Sequence, residues 1–164
     1  MKDLMDKLSS YNLFNYLLPG VVFVVVLKAV TSYDLIQKDL VVGVFFYYFI
    51  GLVVSRIGSV LLEPLLKSLR FLKFSEYQRY LDAVARDKTI EILSEANNMY
   101  RTFLSLFLCI GTLKVGEKLA EFCPSIKGYY VGVGIFLFII LFAFSYKKQT
   151  AYINQRVDKY SERE

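Results

Sequence analysis

The stretch GYYVGVGIFLFIILFAFSY, residues Gly128 to Tyr146, decides how the rest of the chain is read: it is nineteen residues long and carries no charge. As an α-helix rising ~1.5 Å per residue it reaches about 28 Å, close to the ~30 Å hydrocarbon core of a bilayer. Its ends agree with that reading. Tyr129 and Tyr130 stand at one edge and Tyr146 at the other, and Lys147 and Lys148 follow at once. Such a pattern places amphipathic rings at headgroup level and ammonium groups in water.

Outward from this stretch, apolar runs alternate with blocks of charge. The 164 residues are 55% hydrophobic and 16% aromatic, well outside the balance of a water-soluble domain of this size. A first run extends from Leu13 to about Val30, with Asn12 as its cap and Pro19-Gly20 as a kink. A second, LVVGVFFYYFIGLVV, runs from Leu40 to Val54 and ends against Arg56. A third, Thr102 to Leu113, gives only about 18 Å of helix and must borrow length towards Phe122. The expected fold is therefore all-α, with four transmembrane helices. Met1, Leu4, Met5 and Leu8 share one face of a short amphipathic helix ahead of the first span, and no removable signal peptide is read there.

Between the second and third spans the chain is charged but amphipathic. Pro64 fits the first turn of a helix carrying Leu65, Leu66, Leu69 and Leu72. Ser75 with Gln78 forms a capping box for a second helix, and Asp87 or Thr89 caps a third. The expected organisation is an N-terminal amphipathic helix and hairpin (1–62), a cytoplasmic helical segment (63–101), a second hairpin (102–146) and a cytoplasmic tail (147–164). Charge sets the orientation. Only Lys28, Lys38, Lys114, Lys118 and Lys127 fall on one side; the other 15 of the 20 basic residues, every arginine among them, fall on the side of the termini and the middle segment. The positive-inside rule makes that side the cytoplasm, giving a multi-pass protein of a bacterial inner membrane.

With no histidine and two separated cysteines, Cys109 and Cys123, neither a disulfide nor an imidazole/thiolate metal site is expected, and no cofactor is read. Histidine-based acid/base catalysis is excluded, and no phosphate-binding glycine loop or nucleophile elbow is present. Every Asp and Glu lies outside or at the edge of a span, which argues against a proton-coupled exporter. The net charge of +5 points to the anionic bilayer surface, with nucleic acid not expected as a partner. The chain is read as non-enzymatic.

Four polar residues are candidates for a pore or interface. Lys28 is most simply a snorkelling side chain, or more sharply a pore-lining one. Arg56 is an inner anchor or lies at the inner mouth of a pore. Lys114 and Glu117 form a solvated helix tip or line a vestibule. Gly51, Ser55 and Ser59, and again Gly128 with Gly132, repeat small residues at four-residue spacing, which lets membrane helices approach closely within or between subunits. Two functions follow: a homo-oligomer whose cytoplasmic helices trigger opening of the bilayer, or a passive anchor that holds a cytoplasmic protein partner at the membrane.

The stretches LFNYLLPGVVF, YYFIGLVVSRIGSVLLEPLLK, LSEANNMYRTF and FSYKKQTAYINQRV resemble those of small four-helix bacterial membrane proteins associated with anti-phage defence loci. The resemblance implies a membrane effector or sensor working with a cytoplasmic partner. It carries over no active-site residue.

Overall fold

The structure, a computed structural model, describes residues 13–122 and 128–161. The expected amphipathic helix at Met1–Leu8, the Asn12 cap, Cys123 and most of the CPSIKG turn lie outside those residues. Among the described residues the fold is all-helical, in five helices. Helix α1 opens as a π-helical turn, Leu13–Leu17, and continues as α-helix over Leu18–Val30. Helix α2 is continuous over Leu40–Ser68, with a π-helical stretch at Gly58–Leu62. Helices α3 (Tyr77–Arg86), α4 (Thr89–Phe122) and α5 (Tyr130–Ser161) complete the order.

Local chemistry accounts for most helix ends. The Asp39 carboxylate accepts the Val42 N–H at 2.9 Å and starts α2 where the apolar run begins. Asp87 accepts the Thr89 N–H at 2.8 Å at the head of α4, and those hydrogen bonds hold its carboxyl below the usual carboxylate range. The Ser75/Gln78 capping box does not form: α3 follows Glu76 with no side-chain cap, and Gln78 Nε2 instead donates to the Gln155 carbonyl of α5. Pro64 does not begin a separate helix either. A prolyl ring has no N–H for the carbonyl four residues back and collides with it, and the π-helical turn just upstream removes that demand. The Glu63 N–H accordingly reaches back five residues to the Gly58 carbonyl. Pro19 follows the π turn at Leu13–Leu17 in the same way.

Helices α1, α2 and α4 make the core, where Phe23, Val24, Leu27, Val54, Leu106 and Ile110 are buried against one another. The α1–α2 crossing is closer than side chains permit. A Cβ at Gly20 would overlap the Tyr47 carbonyl, and one at Gly51 would overlap the Tyr16 carbonyl. The two glycines thus set backbone against backbone, the arrangement that holds helices together where lipid removes the hydrophobic drive. Ser105 Oγ donates to the Val54 carbonyl at 3.0 Å in the buried α2–α4 interface.

Two helices, α2 and α5, are long and apolar enough to cross a membrane. Helix α1 is shorter, and the C-terminal half of α4 carries Lys114, Glu117, Lys118 and Glu121. Helix α5 is nearly bare: only 6% of its most apolar window is buried, and Ile135, Phe136, Leu137 and Ile139 are all exposed. The expected segment boundaries at 62/63, 101/102 and 146/147 each fall within a continuous helix.

Candidate functional site

Both π-helical turns lie at the same end of the bundle, and between them is a polar cavity of about 230 Å³. Helix α1 contributes Asn15 and Tyr16 from its π turn. Helix α2 contributes Ser55, Arg56, Ser59 and Glu63, the last two in or next to its π stretch. Asn98 and Arg101 come from α4; Lys148, Gln149 and Tyr152 come from α5. A π turn rotates the side chains beyond it relative to a regular helix, which is why such turns concentrate at functional sites. Gly58 brings α4 close, since a Cβ there would stand 3.3 Å from Arg101 Cγ and from Ser105 Cβ.

Glu63 is the hub of the cluster. Its carboxylate, buried in the fold, accepts from Arg101 Nη1 at 2.7 Å, from Lys67 Nζ at 3.0 Å and from Lys148 Nζ at 3.3 Å. Lys148 also donates to the Ser59 carbonyl at 2.7 Å and to Ser59 Oγ at 2.9 Å. One carboxylate therefore ties α2, α4 and α5 together. A buried ion of this kind is tolerable only because its oxygens are filled with charged donors. Arg56 Nη2 donates to the Tyr16 hydroxyl at 3.1 Å, and among the described residues Arg56 makes no ion pair. Arg101 Nε is buried with no hydrogen-bond partner among those residues.

The other polar candidates sit at the opposite end. Lys28 pairs with Asp34 at 2.9 Å, both half exposed, and its ammonium together with the Ile36 N–H holds the Asp34 carboxyl below its ordinary range. Lys114 pairs with Glu117 at 2.7 Å, and Glu117 also accepts the Ser32 N–H at 2.6 Å, which pins the α1–α2 loop to α4. Of the small residues, Gly51 meets α1, while Ser55 and Ser59 are buried. No described residue comes within 4 Å of a Cβ placed at Gly128 or Gly132. The fold thus brings Arg56, Ser55 and Ser59 together and leaves Lys28, Lys114 and Glu117 apart from them.

Sequence reasoning passed over Glu63, Arg101 and Lys148. The available signal was a glutamate fixed between an apolar run and a proline, with Lys67 one turn on. All the residues lining the cavity fall within four stretches, 13–23, 47–67, 93–103 and 144–157, and the fold converges those stretches on one place.

Helix α3 and the C-terminal part of α5 are fastened to each other at the same end. Lys159 bonds Asp82 at 2.6 Å and the Gln78 carbonyl at 2.9 Å, and the Tyr77 and Tyr152 rings lie 5.0 Å apart. No protein-family model, curated protein or solved structure matches this chain.

Proposed function

We propose that the chain is a four-pass inner-membrane protein with its termini and residues 63–101 in the cytoplasm, acting as a homo-oligomeric effector or sensor that perturbs the membrane in bacterial anti-phage defence. The observation that carries the membrane part is the bare apolar flank of α5. Water would penalise each such side chain by roughly 1.5–3 kcal/mol relative to burial, so lipid or a second copy covers it. The space around Gly132, clear of described residues, leaves room for a helix of a second subunit to approach. The defence role rests on the resemblance of the four stretches.

Coupling is what the site offers chemically. Helix α4 is a single rod of 34 residues from the charged middle segment into the apolar core, and Arg101 on that rod is tied to α2 and α5 through Glu63. A cytoplasmic helix that moves must carry the junction with it. Purified protein reconstituted in liposomes should release a trapped ion-sensitive dye, and Arg56→Leu should abolish that release if Arg56 lines the conduction path. Intact liposomes, with a cytoplasmic protein recruited to them, would overturn the effector reading in favour of an anchor. The anchor reading has its own support: Phe71, Ile92, Leu93 and Tyr100 in the middle segment are exposed apolar side chains suited to a protein partner.

A further inference from the structure

The lining of the cavity holds more positive charge than the fold neutralises. Among the described residues Arg56, Arg101 and Lys148 face it against the single carboxylate of Glu63, an excess of two positive charges. Glu63 is spent on Arg101, Lys148 and Lys67. Among the described residues Arg56 has only a neutral hydroxyl, and Arg101 Nε is buried without an acceptor. The rest of the lining is hydroxyl and amide groups, all able to donate. A volume of about 230 Å³ is below the roughly 300–1,000 Å³ of pockets for drug-sized molecules, yet room for a phosphoryl group and its ester substituent.

We propose that this cavity binds a phosphate-class anion, a phosphoryl ester held by the guanidinium groups of Arg56 and Arg101. Phosphate fits better than a carboxylate on two counts. A phosphomonoester carries about −1.5 to −2 charges near neutral pH, matching the excess, and its three oxygens accept from more than one planar guanidinium at once. Held there, the anion links α2 to α4 beside the Glu63 hub, so its binding stiffens the junction on which the coupling depends. Two sources share this chemistry: a soluble phosphorylated molecule, or the headgroup of an anionic lipid in the cytoplasmic leaflet. The soluble source needs only the cavity; the lipid source also rests on the transmembrane reading, so the two fail separately.

The test uses the full-length protein and its thermal unfolding midpoint. In one arm, detergent-solubilised protein is titrated with inorganic phosphate against chloride at matched ionic strength. In the other, the protein is held in discs of phosphatidylcholine alone or with added phosphatidic acid. The variants are Arg56→Gln, whose side chain makes one hydrogen bond within the described fold, and Gln149→Glu, which adds a carboxylate at the exposed rim of the cavity. Lys147→Gln, exposed and outside the lining, controls for charge alone. A saturable upward shift with phosphate in the parent and Lys147→Gln, weakened at least about tenfold in affinity in either cavity variant, supports the site with a soluble source. A shift with phosphatidic acid only, lost in the cavity variants, supports it with a lipid source. No shift in either arm, or a shift that Lys147→Gln weakens as much as Arg56→Gln does, overturns it.

Discussion

The α1–α2 seam and the flank of α5 are written in the same apolar residues and come to opposite ends. At the seam, Gly20 and Gly51 let two backbones touch, and Val24 and Leu27 are almost wholly buried. Along α5, Leu141 is the one buried residue among those described, and the helix is anchored through Lys148, the Phe49 contacts with Phe138 and Phe142, and the α3 bonds near its C-terminal end. Hydrophobicity therefore does not distinguish a packed helix from an unpacked one in this chain. What separates them is whether a small residue meets another backbone: Gly20 and Gly51 do, and Gly132 does not meet any described residue.

The largest expected effect separates the two regions directly. Gly51→Leu drives a side chain into the Tyr16 carbonyl and should cost more than about 4 kcal/mol, read as loss of folded protein in detergent. Gly132→Leu enters space clear of described residues and should leave unfolding of the subunit unchanged, while weakening cross-linking between subunits if that face carries the oligomer. Equal loss of folded protein in both variants would erase the distinction.

Next in size is the hub. Glu63→Gln leaves Arg101 and Lys148 half-buried without a counter-ion and should destabilise by about 3–5 kcal/mol, measured by thermal or denaturant unfolding. Limited proteolysis of the same variant should release the C-terminal part of α5 before the α1–α2 seam is cut, because α5 depends on Lys148 and the seam does not. Ser105→Ala removes one buried hydrogen bond to the Val54 carbonyl and should cost about 1 kcal/mol. Lys28→Gln breaks an exposed pair with Asp34 and should leave the unfolding midpoint unchanged within error, which sharpens the difference between the two ends of the bundle.

Much of the fold was legible because it is local. The apolar runs, the opening of α2 at Leu40 and the Asp87 cap of α4 all follow from neighbours in sequence. What was not legible is how a proline is absorbed. Pro64 reads as the start of a new helix, yet a π-helical turn upstream carries α2 through it, and the Ser75/Gln78 pair that reads as a cap yields to a tertiary bond with Gln155. The site was half legible. Arg56 was singled out from its place after an apolar run, but Glu63, Arg101 and Lys148 are brought together only by the packing of three helices, 38 and 85 residues from Glu63 along the chain. Lys28, Lys114 and Glu117 looked equally promising by spacing alone, and each found an ordinary partner at the far end.

In the proposed arrangement lipid faces most of the chain, with the Glu63 end towards the cytoplasm. Single-cysteine variants in a background lacking Cys109 and Cys123, one with Asp34→Cys in the α1–α2 loop and one with Lys88→Cys between α3 and α4, test it with a membrane-impermeant maleimide. Asp34→Cys should be labelled from outside the inner membrane of intact cells and Lys88→Cys only after that membrane is opened. Labelling of Lys88→Cys from outside, or recovery of the protein in the soluble fraction with both positions reacting alike, would contradict it.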